Sequence, residues 1–180
     1  MFDPGQFRLD GQTALVTGAG AGIGRGIAAM FAGAGAAVVV SDLQRDTAEA
    51  VAKAIVEAGG RAVGIACNVT DEADLEAAVQ TAVHTFGGLT ILVNNAGGGG
   101  PKPFEMPMTD FRWAYEINVF APFRLTQLAV PHMERAGGGP VLNISSMSAE
   151  NKNQRRASYG SSKAAVSHLT RNIAFDLGPK

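Results

Sequence analysis

TALVTGAGAGIGRGIAAMFAGAG, residues 13–35, decides the fold. Its opening five residues are an apolar run rich in β-branched side chains and read as a strand. Residues 23–34 read as a helix, closed by Gly33 and Gly35. Between them Gly18, Gly22, Ile23 and Gly24 form a TGxxxGIG turn. Small residues at this point let the backbone approach a pyrophosphate, and the helix N-terminus adds amide donors and positive potential. The spacing departs from GxGxxG, and a plain tight turn in a Gly-rich chain is the competing reading.

Outward from that unit, apolar β-rich runs at 37–41, 62–66, 89–94 and 140–145 alternate with helical patterns at 45–58, 72–86, 109–135 and 158–177. Such alternation predicts an α/β fold: a Rossmann-type, doubly wound parallel sheet of about five strands, in one domain over residues 1–180. The Gly-rich loop at 97–103 lies where a substrate would enter. Formal net charge is −1 with scattered basic residues, which argues against nucleic acid or an anionic membrane surface as partner. No apolar run approaches membrane-spanning length. The start MFDPGQFRLDG lacks a secretory apolar stretch, and Cys67 is the single cysteine, so a cytoplasmic protein is expected. Cys67 sits in an apolar run and reads as a packed thiol. His84, His132 and His168 lack metal-ligand spacing, so no metal is expected. No Gly-x-Ser-x-Gly elbow favours a hydrolase.

Asp42 ends the second strand about twenty residues beyond the glycine turn, where a carboxylate accepts the hydroxyls of an adenine ribose and repels a phosphate. Ala21 and Leu43 are not basic, and Arg45 is the one nearby cation that could rescue a phosphate. The reading is NAD over NADP, with helix capping as the plainer role for Asp42. Asn68 and Val69 follow the third strand and could line the adenine. Asn94 reads as a strand tie, whereas Asn95 is expected to meet cofactor as well.

Tyr159 and Lys163 are four apart on a helix and share a face. A phenol with an ordinary pKa of about 10 is a poor base at neutral pH, and an ammonium close by favours the phenolate. An ordinary amphipathic helix would contain such a pair by chance. Ser146, upstream at the end of the fifth strand, is what lifts it, because its hydroxyl can hold a substrate oxygen while Tyr159 moves the proton. Strand alternation turns Ser145 to the opposite face. Asn118 lies in the long helical pattern with Pro122 four residues later. Pro122 has no N–H, so the Asn118 carbonyl is free to hold a water that begins a proton path; a kink without consequence is the alternative.

TGAGAGIG, Asp42, NNAG at 94–97, Asn118, and Ser146 with Tyr159-x-x-x-Lys163 resemble, in this order, the short-chain dehydrogenase/reductase family. The resemblance runs from about Arg8 onward. It implies the catalytic tetrad Asn118, Ser146, Tyr159 and Lys163, with Lys163 also holding the nicotinamide ribose. The stretches NNAGGGGPKPFEMPMTDFRWAYEINVF and SMSAENKN are similar to the hydroxysteroid branch of that family. That likeness implies a bile acid oxidised at its 7α-hydroxyl with NAD, with Gly99, Ser146, Asn151 and Tyr159 at the substrate. A 3-oxoacyl or sugar-alcohol reductase and a non-catalytic dinucleotide-binding module are the alternatives. The family also implies tetramers built through the two long helices. Its members normally continue past a point equivalent to Lys180 with further strands and a substrate lid, so the chain is expected to be a fragment with an open fifth strand.

Overall fold

A computed structural model of the chain describes residues 4–178. The first three residues of the start MFDPGQFRLDG, and both ends of the 1–180 domain, lie outside the described residues. Strands β1 (Thr13–Thr17), β2 (Ala37–Asp42), β3 (Arg61–Ala66), β4 (Ile91–Asn94) and β5 (Val141–Asn143) form one sheet of order β3-β2-β1-β4-β5. All four pairings are parallel. Helices α1 (Gly22–Gly33), α2 (Arg45–Glu57) and α3 (Glu72–Phe86) connect the first four strands. Helix α4 (Met108–Tyr115) runs through a π-helical turn, Glu116–Phe120, into α5 (Ala121–Arg135), and α6 (Ala157–Leu177) follows β5.

The central strands are apolar at nearly every position because both sheet faces are covered. Along β1, side chains alternate between two cores. Ala14 and Val16 pack with α1 and α2, alongside Val38 and Val40. Leu15 packs with Val39, Leu75, Leu92 and Leu125 on the α3 and α5 side. Burying each of these leucines contributes about 1.5–3 kcal/mol. Cys67 belongs to the second core, and burial pushes its thiol up to about 11, so it is an inert packed group.

The last two strands are shorter than their apolar runs. Leu89 is fully buried but lies before β4, because the Thr90 N–H turns to the Thr13 carbonyl. Pro140 has no N–H for the ladder, and β5 begins after it. β5 is the end strand and is half-buried. The expected 109–135 helix is present, but Pro122 is accommodated by a wider turn in which the Ala121 N–H reaches the Glu116 carbonyl.

Strand order reverses at β1, whose neighbours β2 and β4 lead away in opposite directions. In such sheets the crevice beyond the carboxyl ends of the reversing strands is where ligands bind. Thr17–Gly18 and Asn94–Ala96 stand at that crevice.

Candidate active site

The glycine turn is tied to the neighbouring strand end. Asn95 donates from Nδ2 to the carbonyls of Thr17 (2.8 Å) and Gly18 (3.0 Å), and the Asn95 and Ala96 N–H groups both bond Thr17 Oγ1. Gly18 and Gly22 take positive φ of 60° and 56°. A Cβ on Gly24 would overlap Asn95 Nδ2 and the Gly18 carbonyl, so no larger residue fits there. Helix α1 begins without a side-chain cap, which leaves the amides of its first turn facing the crevice.

Asp42 is also part of this turn. Its Oδ2 accepts the Gly20 N–H at 2.9 Å and its Oδ1 the Gln44 N–H at 3.2 Å. A Cβ on Gly20 would run into this carboxylate and Thr47 Oγ1, so Gly20 belongs with the three glycines the pattern singled out. Arg45, the one candidate to rescue a phosphate, pairs instead with Glu49 at 3.4 Å.

On the other side of the crevice lies a cleft of about 560 Å³ lined by Ser146, Tyr159 and Lys163, together with Ile23, Asn95 and Gly97–Gly99. Ser146 starts the turn Met147–Ala149, and its Oγ accepts the Ser148 N–H at 3.2 Å. Ser145 also borders the cleft, but its hydroxyl is engaged by Ser167 Oγ (2.6 Å) and the Lys163 carbonyl (3.2 Å) on α6. Of these two, the Ser146 hydroxyl is the one left for a ligand. Lys163 is 5% exposed and donates from Nζ to the Ile144 carbonyl at 2.7 Å. Desolvation lowers its pKa below the ordinary lysine range. Its Nζ lies 6.0 Å from the centre of the Tyr159 ring.

Asn118 enters through its side chain. It is buried and donates from Nδ2 to the Gly98 carbonyl (2.7 Å) and Ser162 Oγ (3.0 Å), and its Oδ1 accepts the Gly98 N–H (3.2 Å). The sequence points only to its backbone carbonyl, and nothing local in it encodes this three-way clamp between the loop and α6.

Residues 12–180 match the short chain dehydrogenase family. The chain is a short-chain dehydrogenase. It is 58% identical over 180 residues to the 7alpha-hydroxysteroid dehydrogenase of Escherichia coli K12, covering all of this chain and 71% of that protein. An uncharacterised oxidoreductase of Mycobacterium tuberculosis is 41% identical over 176 residues, 97% of this chain and 67% of that one. Among solved structures, a 7 alpha-hydroxysteroid dehydrogenase complexed with NADH and 7-oxo glycochenodeoxycholic acid superposes with a TM-score of 0.97 at 57% identity, covering 99% of this chain and 70% of that one.

Not every residue expected at the site of this short-chain dehydrogenase reaches the cleft. Asn68 forms a local turn, its Oδ1 accepting from the N–H and hydroxyl of Thr70, and Val69 is buried in the second core. Asn151 is exposed and does not line the cleft. Gly99 does, at φ 124°, but a Cβ there would sit 2.9 Å from Tyr159 Cδ2, so the room it leaves is filled by the tyrosine. Asn94 is a strand tie, with Nδ2 on Asn143 Oδ1 at 2.8 Å. The motifs did not reveal Arg156 or Ser148, which also line the cleft.

Proposed function

We propose that this short-chain dehydrogenase oxidises the 7α-hydroxyl of a bile acid to the ketone with NAD. The observation that carries the reading is the convergence of Ser146, Tyr159 and Lys163 on one cleft beside the glycine turn. The extended likeness to an enzyme named for that reaction supplies the substrate.

The turn fits a dinucleotide. Gly18, Gly20, Gly22 and Gly24 present backbone without Cβ atoms, and the uncapped first turn of α1 offers amides to a pyrophosphate. Asp42 holds the adenine ribose, Asn68 and Val69 border the adenine, and Ile23 and Asn95 lead toward the cleft. When bound, NAD supplies the acceptor for the hydride leaving the substrate carbon. Tyr159 removes the hydroxyl proton through its phenolic oxygen, while the Ser146 hydroxyl donates to the same substrate oxygen and fixes it. Lys163 brings positive charge to the tyrosine and holds the nicotinamide ribose. Asn118 fixes the loop that faces the substrate, and its carbonyl, which Pro122 cannot bond, holds a water toward Lys163. Gly99 borders the substrate through its backbone at the cleft wall, and Asn151, exposed outside the cleft, meets only a part of the substrate that extends beyond it.

The first test follows NADH formation with cholate, using deoxycholate, which lacks the 7-hydroxyl, as control. Turnover of cholate alone is expected. Turnover of both would place the reacting hydroxyl elsewhere, and silence on both would overturn the reading for this chain.

Asp42 decides the cofactor. Asp42→Ala removes a carboxylate with no cation bonded to it, so the preference for NAD over NADP, as the ratio of dissociation constants, should fall about tenfold or more. An unchanged ratio would refute its role.

No helix among the described residues is long and apolar enough to cross a membrane. We place the protein in the cytoplasm as a homo-oligomer. Exposed Phe120 and Phe123 on the α4–α5 helix, and Phe175 on α6, support self-association through these helices.

A further inference from the structure

Arg156, Tyr159 and Lys163 follow one another at spacings of three and four where α6 begins, so two cations flank one tyrosine. The Arg156 guanidinium carbon is 5.5 Å from the Tyr159 ring centre, on the side of Gly99 and Ser148. Lys163 donates to the Ile144 carbonyl, and under the proposed function its remaining donors serve the cofactor side. Arg156 spends one N–H on the Gly99 carbonyl, at 3.3 Å, and makes no ion pair among the described residues. No carboxylate lines the cleft. A guanidinium carries five donors, so most of its capacity is left for a ligand.

The position itself is unfavourable for a cation. Arg156 immediately precedes α6, where the helix dipole favours negative charge, and it provides no capping bond. Arg155 beside it has φ 60°, the one positive φ among described non-glycine residues. The Arg155 carbonyl accepts the Lys102 N–H at 2.8 Å, which stitches this corner to the Gly-rich loop. Two neighbouring departures from local preference at the cleft mark a place where the fold gives up stability for recognition.

We propose that Arg156 is the anion-recognising residue of the substrate pocket: it pairs with the carboxylate or sulfonate of an acidic substrate whose hydroxyl lies at Ser146 and Tyr159. This rests on the hydroxysteroid reading above and adds to it why an acid is preferred over a neutral sterol. The cofactor's charge is served elsewhere, because its pyrophosphate faces the glycine turn. Arg156 and Lys163 are about 10 Å apart along the helix, one for each end of the reaction complex.

The test measures binding, so it does not depend on turnover. Trp113 is the single tryptophan and packs on Gly98 in the cleft loop, so its fluorescence reports ligands there. Cholate and its neutral methyl ester are titrated, without NAD so that neither is oxidised, into the wild-type chain, Arg156→Met and Arg156→Lys. The wild type should bind cholate about tenfold more tightly than the ester, the size of one charge-assisted hydrogen bond. Arg156→Met should bind both with the ester's affinity, Arg156→Lys should recover part of the difference, and added salt should erode it. Equal binding of acid and ester by the wild type overturns the proposal and leaves the hydroxysteroid reading standing. So does an equal loss for both ligands in Arg156→Met, which would make Arg156 a packing residue for Tyr159. Failure of both ligands to bind the wild type overturns the hydroxysteroid reading itself, and this proposal with it.

Discussion

Tyr159→Phe should lower kcat for cholate oxidation by about a thousandfold, within the usual range for losing a general acid–base group, while NAD still binds. Phenylalanine keeps the ring that packs on Gly99 and lies between Arg156 and Lys163, so the cleft walls stay in place. Only the phenolic oxygen is lost, and with it the acceptor for the substrate proton. Ser146 does not replace it, because its ordinary hydroxyl is a far weaker base and no histidine lines the cleft to activate it. Single-turnover NADH formation, a calorimetric NAD titration and a thermal melt together check this. Activity within tenfold of wild type, with unchanged melting, would show that another group moves the proton.

The sheet was legible because its central strands, β1, β2 and β4, are buried on both faces. The runs at 14–16 and 37–40 are continuous and apolar for that reason, and the glycines that end the helices mark the boundaries, as Gly87 does at φ 85° after α3. Edges were less legible. Leu89 continues the apolar run of β4 yet packs into the core from outside the ladder, since burial and strand pairing leave the same apolar mark. At the site, motif residues such as Ser146, Tyr159 and Lys163 announce themselves by type and spacing. Residues working through long-range contact do not. Thr17 bonds the amides of Asn95 and Ala96 across 78 and 79 positions, and no local pattern encodes that pairing. Arg156 is illegible for a different reason: an arginine ahead of a helix has the pattern of an ordinary surface cation, and only the fold sets it beside the ring of Tyr159 and the Gly99 carbonyl.

Asn118→Leu separates two accounts of one residue. The leucine keeps the backbone carbonyl and leaves Pro122 untouched, so a role confined to the carbonyl would leave melting temperature and kcat near wild type. The side-chain account predicts otherwise. Removing the amide strands the part-buried Gly98 N–H and carbonyl and takes a partner from the fully buried Ser162. Each buried group left unpaired costs about 1–3 kcal/mol, so a total loss of about 2–4 kcal/mol is expected. At about 2–4 °C per kcal/mol for a chain of this size, the melting midpoint should fall by about 5–15 °C. Loss of kcat should accompany it, because Gly98 would no longer be held where the loop meets Tyr159. Asn118→Asp refines the comparison. The spot a Gly97 Cβ would occupy is 2.8 Å from Asn118 Oδ1 and 3.1 Å from Lys163 Nζ, so a carboxylate there would stand close to the buried ammonium. Its Oδ1 would still accept the Gly98 N–H, but its other oxygen has no hydrogen to give the Gly98 carbonyl, and its charge would draw Lys163 away from the Ile144 carbonyl and its work beside Tyr159. Aspartate should therefore melt below wild type and oxidise cholate as poorly as leucine does, whereas a role confined to the backbone carbonyl would leave both variants near wild type.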